Sequence, residues 1–147
     1  MKDTKITPEE YNNILKSLEL KSISLIESGF KISDENNIAG KVNLKMSDKY
    51  SYDTKDDIII FHASFKFTGS KDNTESSKKS PLFSLTGKYS VIYSKCDEIQ
   101  ITNDFFEVFK EISLSMIVWP YIREYIQSTI VRSGLPPFTL PVRRMNE

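Results

Sequence analysis

From Ile59 to Phe67 every second residue is apolar (Ile59, Phe61, Ala63, Phe65, Phe67), while His62, Ser64, Lys66 and Thr68 take most of the alternate places. A two-residue period puts all the apolar side chains on one face only in a β-strand, so the chain must build a sheet with one covered face. The pattern recurs twice. Val42, Leu44, Met46, Tyr50 and Tyr52 share one parity against Asn43, Lys45 and Ser47, and Phe83, Leu85, Tyr89, Val91 and Tyr93 share one within residues 82–94. Clean alternation in three strands predicts an antiparallel sheet covered on one side. Leu18 to Ser28 reads as a further strand. Its apolar parity changes from Leu18 and Leu20 to Ile23 and Leu25, which predicts a bulge or burial on both faces. Ser28-Gly29 and Ser33 to Asn37 then bracket a polar connection carrying Phe30 and Ile32. Asp53 to Asp57 reads as a turn, and Gly69 to Ser80 as an exposed hairpin loop.

Two helices frame the strands. Thr7-Pro8-Glu9-Glu10 offers a capping threonine, a proline suited to the first turn and a glutamate three residues past the cap. Tyr11, Ile14, Leu15 and Leu18 follow at helical spacing, so a helix is predicted over Pro8 to Lys16. After Asn103-Asp104 the period changes. Phe105, Phe109, Ile112 and Met116 form a helical stripe, widened by Phe106, Leu114 and Ile117. Pro120 cannot donate to the carbonyl of Met116, so the helix is expected to kink or restart there before continuing to Arg132. Gly134 suits the cap, Pro136-Pro137 forbids continuation, and the tail from Phe138 to Glu147 is expected to be extended. The predicted fold class is α+β. A four-stranded antiparallel sheet carries a short N-terminal helix and a long, proline-kinked C-terminal helix on one face. It forms one domain over 1–147: an N-terminal helix extension (1–17), the sheet (18–94), the helical segment (103–133) and the tail (134–147).

The sequence is poor in catalytic signals. His62 is the only histidine and Cys96 the only cysteine, which excludes multi-histidine and thiolate-cluster metal sites and any intramolecular disulfide. Cys96 stands beside Asp97 and Glu98, which disfavour a thiolate. No glycine-rich phosphate loop is present, and the paired acids Asp56-Asp57 and Asp97-Glu98 read as solvated turn residues. The 20 basic and 20 acidic residues cancel, and Lys78-Lys79 and Arg143-Arg144 are too short for a basic stripe. No nucleic acid, cofactor or enzymatic activity is expected. The opening Met1 to Lys5 lacks the apolar stretch of a secretory signal, and no apolar run is long enough to insert into a membrane. A cytoplasmic protein is expected, which the lack of disulfides fits. What stands out is apolar surplus: Phe105, Phe106, Phe109, Trp119, Tyr121, Tyr125 and Phe138 crowd the C-terminal third. They suit a core and subunit interface, or a groove for apolar side chains of another chain.

The string from Trp119-Pro120-Tyr121-Ile122-Arg123-Glu124-Tyr125-Ile126 to Arg132-Ser133-Gly134-Leu135-Pro136-Pro137-Phe138-Thr139-Leu140-Pro141 resembles the SecB family. That family carries an aromatic-Pro-Tyr-x-Arg-Glu helix, a basic residue and glycine at its end, and a proline-containing apolar extension. The upstream order of four strands is similar too, so the resemblance spans roughly Leu18 to Val142. It implies a homotetrameric, ATP-independent chaperone, a dimer of dimers with the long helices at the interface. Unfolded preproteins, or the antitoxin of a toxin–antitoxin pair, would bind extended along apolar grooves. On this resemblance Phe30, Ile32, Tyr50, Tyr52, Trp119, Tyr125, Leu135 and Phe138 would line the client groove. Pro120, Tyr121, Arg123, Glu124, Gly134 and Pro136 would shape the structural motif, with Arg123 and Glu124 positioning the helix or bridging subunits.

The chain departs from the export members. Ser22 and Ile26 stand where those carry acids on the first strand, with Glu27 displaced by one. It adds the Pro8 to Lys16 helix and is expected to lack their last helix and acidic tail. These departures argue against docking of the translocation motor and resemble the chaperones that accompany toxin–antitoxin pairs. The alternative is a non-catalytic interaction subunit whose grooves are filled by its own residues.

Overall fold

Thr7 starts the first helix: its Oγ1 accepts the backbone N–H of Glu10 at 3.1 Å, satisfying a donor the first turn would leave unpaired. The computed structural model describes residues 6–33, 42–71, 81–96 and 98–135, with the backbone alone at Lys71. Helix α1 runs over Pro8–Lys16, as expected, and ends where the Ser17 N–H and hydroxyl both bond the carbonyl of Ile14.

Four strands follow: β1 (Glu19–Ile32), β2 (Val42–Lys55), β3 (Ile58–Lys71) and β4 (Phe83–Ser94). They form one antiparallel sheet in the order β1-β4-β3-β2. β2 and β3 are joined through Asp56-Asp57, where Asp56 takes the left-handed conformation (φ 55°) that a tight hairpin demands and aspartate tolerates.

β1 corrects the sequence reading. It does not stop at Ser28, and Phe30 and Ile32 are strand residues facing Leu85 and Phe83, not part of a connection. The parity change has its physical cause in two register shifts, between Leu20 and Ser22 and between Leu25 and Glu27. Each shift moves the inward side to the other parity, so Leu20, then Ile23 and Leu25, then Phe30 and Ile32 point toward the core. Gly69, Ser70 and Lys71, expected in a loop, likewise belong to β3. Residues 72–80 and the tail from Pro136 lie outside the described residues, and with them Phe138 and Pro136.

The central strands β3 and β4 bury their whole inner face: Ile59, Phe61, Phe65 and Phe67 on one, Leu85, Tyr89 and Val91 on the other. Two glycines let rings lie on the sheet. A Cβ on Gly69 would collide with the ring of Phe83, and one on Gly87 with the ring of Phe65.

Thr102 caps the next helix by accepting the N–H of Phe105 at 3.1 Å. Helix α2 (Asn103–Phe109) passes into a π-helical turn (Lys110–Leu114) and then helix α3 (Ser115–Ser133). The interruption is therefore not at Pro120, which sits inside α3 without a restart. The π turn also changes which side chains face inward. Phe105, Phe109, Leu114, Val118, Ile122, Ile126 and Ile130 are buried, whereas the expected Ile112 and Met116 are half-exposed. The interval from Phe109 to Leu114 is the wider step that a π turn accommodates. Gly134 closes α3 in the left-handed conformation at φ 81°.

The helices lie over β3 and β4. Phe109 stacks on Phe61 at 4.8 Å between centroids, and Tyr125 meets Phe65 edge-on at 6.1 Å. Tyr89 donates its hydroxyl to the Tyr121 carbonyl at 3.0 Å. α3 thus runs along the two central strands and leaves β1 and β2 as flanks.

Candidate functional site: the apolar flanks of the sheet

A helix laid over the middle of a four-stranded sheet cannot cover its outer strands, and the burial follows that geometry. On the β1 flank, Leu20, Ile23, Leu25, Phe30 and Ile32 face the helix side, yet none is fully buried, and Leu25 remains 41% exposed. On the β2 flank, Val42, Leu44, Met46, Tyr50 and Tyr52 face the same way, with Leu44 45% exposed. Each flank is a strip beside the helix, apolar along most of its length and next to a sheet edge that pairs with a strand on one side only among the described residues.

The site residues named from the sequence divide between these places. Phe30 and Ile32 lie at one end of the β1 flank, where Phe30 packs on Phe83 at 6.4 Å. Tyr50 and Tyr52 lie on the β2 flank toward the opposite end. The row containing Phe30 runs through Leu85 and Phe67 to Met46, whereas Tyr52 faces Phe61. Six residues along β3 separate those rows, roughly 20 Å. The structure therefore brings these four residues into two strips, not one groove. Tyr52 closes its strip by donating to Asn103 Oδ1 at 2.8 Å and packing on Phe106 at 4.6 Å, and Tyr50 donates to the Asp48 carboxylate at 2.8 Å. Trp119 and Leu135 sit in the core, 7% and 6% exposed, and Tyr125 is half-buried against Phe65.

The motif residues Pro120, Arg123 and Glu124 are elsewhere again. With Gln127, Ser128, Val131 and Arg132 they line a shallow groove of about 570 Å³ on the outer side of α3. Among the described residues no ion pair joins Arg123 or Glu124 to another side chain. Tyr121 is exposed next to them.

Helix α1 covers the end of the core nearest α2. Tyr11 stacks on Phe105 at 5.0 Å, and Ile6, Ile14 and Leu18 pack beside it. The fit is incomplete: the Tyr11 hydroxyl is buried without a hydrogen-bond partner among the described residues. Burial, with Tyr11 as a lesser contributor, raises the Tyr93 phenol above its usual range.

Sequence reading missed Leu20, Ile23, Leu25, Val42, Leu44 and Met46 as flank residues. The parity change in β1 was their signal, and the exposed end of the alternation in β2 was the other. For bond-making chemistry the site offers little. Among the described residues no three His, Cys, Asp or Glu side chains could hold a metal ion. Nor is any helix long and apolar enough to cross a membrane. Cys96 is free and exposed beyond β4.

This arrangement of four antiparallel strands under a long C-terminal helix is the SecB-like fold. The chain superposes on the SecB-like chaperone Rv1957 of Mycobacterium tuberculosis, solved in complex with a ChAD peptide from the antitoxin HigA1 (Rv1956). The TM-score is 0.77, over 95% of this chain and 99% of that one, at 13% identity. A protein of unknown function from Streptococcus agalactiae aligns over 84% of this chain and 96% of its own, with a TM-score of 0.42 and 13% identity. No protein-family model and no curated protein sequence matches the chain.

Proposed function

We propose that this protein is an ATP-independent chaperone that holds extended, apolar segments of other polypeptides on the flanks beside its long helix. The observation that carries this reading is the half-exposed apolar strip of β1, from Leu20 to Ile32, next to the outer edge of a strand that pairs only with β4 among the described strands. An extended client can add backbone hydrogen bonds there and insert alternate side chains among Leu25, Phe30 and Ile32. Burying apolar area at about 25 cal/mol per Å² then offsets the cost of ordering the client. The SecB-like fold supports the reading, and the antitoxin peptide bound by Rv1957 favours an antitoxin as client over an exported preprotein. In this proposal the protein works in the cytoplasm as a homotetramer, a dimer of dimers, without an enzymatic step or a cofactor.

The second reading is an interaction subunit that keeps the fold and fills its own surface. Its support is α1, whose Tyr11 already stacks on Phe105. One experiment separates the two. Aggregation of an unfolded client is followed by turbidity, and particle mass is read by light scattering. Protection that is weakened by a combined Leu25→Ser and Phe30→Ser change, with assembly mass unaltered, supports the chaperone. A well-folded oligomer that protects neither general clients nor a cognate antitoxin leaves the interaction subunit.

A further inference from the structure

The side of the sheet away from the helices carries a second surface, and the strand register locates it. Three consecutive cross-strand rows run Lys31-Ser84-Thr68-Lys45, Gly29-Thr86-Lys66-Ser47 and Glu27-Lys88-Ser64-Lys49. These rows hold five lysines and one acid. The other positions are hydroxyls and a glycine. Lys31, Lys45, Lys49 and Lys66 are exposed and Lys88 is half-buried. With strands about 4.8 Å apart and rows about 6.8 Å apart, the lysines share a patch of roughly 14 by 14 Å. Lys66 lies diagonal to Lys45, Lys49 and Lys88, about 8 Å from each across neighbouring strands and rows, within one Debye length, so these charges reinforce one another as an anion-attracting field. The whole chain has a formal net charge of +0, so this excess belongs to these three rows and is balanced by acidic residues outside them. In the adjoining row, the His62 pKa is lowered by burial first and by the Lys88 charge second, while Asp53, further along the same face, acts the other way.

We infer that this face docks a carboxylate-rich polypeptide surface. Charge complementarity names the partner's sign, and the side-chain inventory narrows its class. The three rows contain neither an aromatic ring for stacking bases nor an arginine for gripping phosphates in pairs, the two devices on which single-strand binding and bidentate phosphate recognition rest. A bilayer fits poorly as well. Adjacent strands rotate by about 20–25°, so the lysines of β1 and β2 diverge, and the three rows hold no apolar side chain to enter between headgroups. A folded or extended acidic chain can follow that twist. Glu27, at the edge of the patch, suits a protein partner bearing an occasional cation. The inference stands apart from client binding, since it uses the opposite face of the sheet.

The test is fluorescence anisotropy of the full chain with a labelled poly-glutamate peptide, run beside a duplex oligonucleotide and vesicles of phosphatidylserine and phosphatidylcholine. Poly-glutamate is expected to bind at low ionic strength and to weaken steadily as salt rises. A combined K45E, K49E and K66E change should weaken it at least about tenfold. K55E, at the far end of the same face, should leave it unaltered. Lysine-to-glutamine changes at Lys31 and Lys88 should weaken binding in the same direction, with far-UV circular dichroism unchanged. Absence of poly-glutamate binding, tighter binding to the duplex or the vesicles, or indifference to the charge reversals would each overturn the inference.

Discussion

The hydroxyl of Tyr89 on β4 donates to the backbone carbonyl of Tyr121 on α3 at 3.0 Å, at the residue directly after the exposed Pro120. A proline lacks the N–H that would bond the carbonyl four residues earlier, and a strand side chain instead ties the neighbouring stretch of helix to the sheet. Replacing Tyr89 with Phe removes this bond and should cost about 1 kcal/mol in a urea titration.

The same phenol gives a pH dependence. Burial, then Glu124 and Tyr125, push the Tyr89 pKa up to about 12. An unfolded tyrosine ionises near 10. The folded state therefore holds the neutral phenol longer. The contribution is complete below about pH 10 and is lost as pH climbs toward about 12. The wild type should lose more stability over that interval than Tyr89→Phe, as read by urea midpoints at successive pH values. Parallel curves for the two proteins would refute the assignment.

Gly87 lies under the ring of Phe65, which is buried and held against Tyr125. Gly87→Ala should destabilise by about 1–3 kcal/mol through overpacking. Combining it with Phe65→Leu should recover part of that loss, because the two changes share one space. A double-mutant cycle with no coupling would show that the clash is relieved elsewhere.

The inward phase of the C-terminal helices can be checked by truncation. Leu114→Ala should cost about 2–5 kcal/mol, since the side chain is fully buried. Ile112→Ala, at a half-exposed position, should cost clearly less. Equal losses in thermal melts would mean that an unbroken α-helix is present instead of the π turn.

Tyr11→Phe removes a buried hydroxyl that has no partner among the described residues. The expected sign is unusual for a truncation: neutral or stabilising, because the desolvation of an unpaired polar atom disappears while stacking on Phe105 is kept. Differential scanning calorimetry would show a melting temperature at or above that of the wild type.

Much of this fold is written locally in the sequence. Alternation in β2, β3 and β4 and the capping residues of α1 need only a period and a hydrogen bond, and they hold in the structure. What failed to show locally depends on neighbours. Phe30 and Ile32 read as a connection because Gly29 and the serines around it look like a turn, but pairing with β4 overrides that composition. The stripe through Ile112 and Met116 assumed one constant helical period, which the π turn breaks. The candidate site was half visible. Phe30, Ile32, Tyr50 and Tyr52 are flank residues, but their separation into two strips follows from strand order, which no single segment encodes.

Counting along the buried stripe shows what the π turn means for chain length. Phe105 and Phe109 are four apart, Leu114 is five further on, and Val118, Ile122, Ile126 and Ile130 return to fours. The turn absorbs one surplus residue. A version of the chain shortened by one residue between Lys110 and Leu114 would keep the stripe in step as plain α-helix. One extra residue early in Ser115–Ser133 would swing everything after it by about 100°, carrying Ile122, Ile126 and Ile130 out of the core into the places of Arg123, Gln127 and Val131 on the outer groove. Length is thus free to drift at one point in this helix and fixed everywhere else.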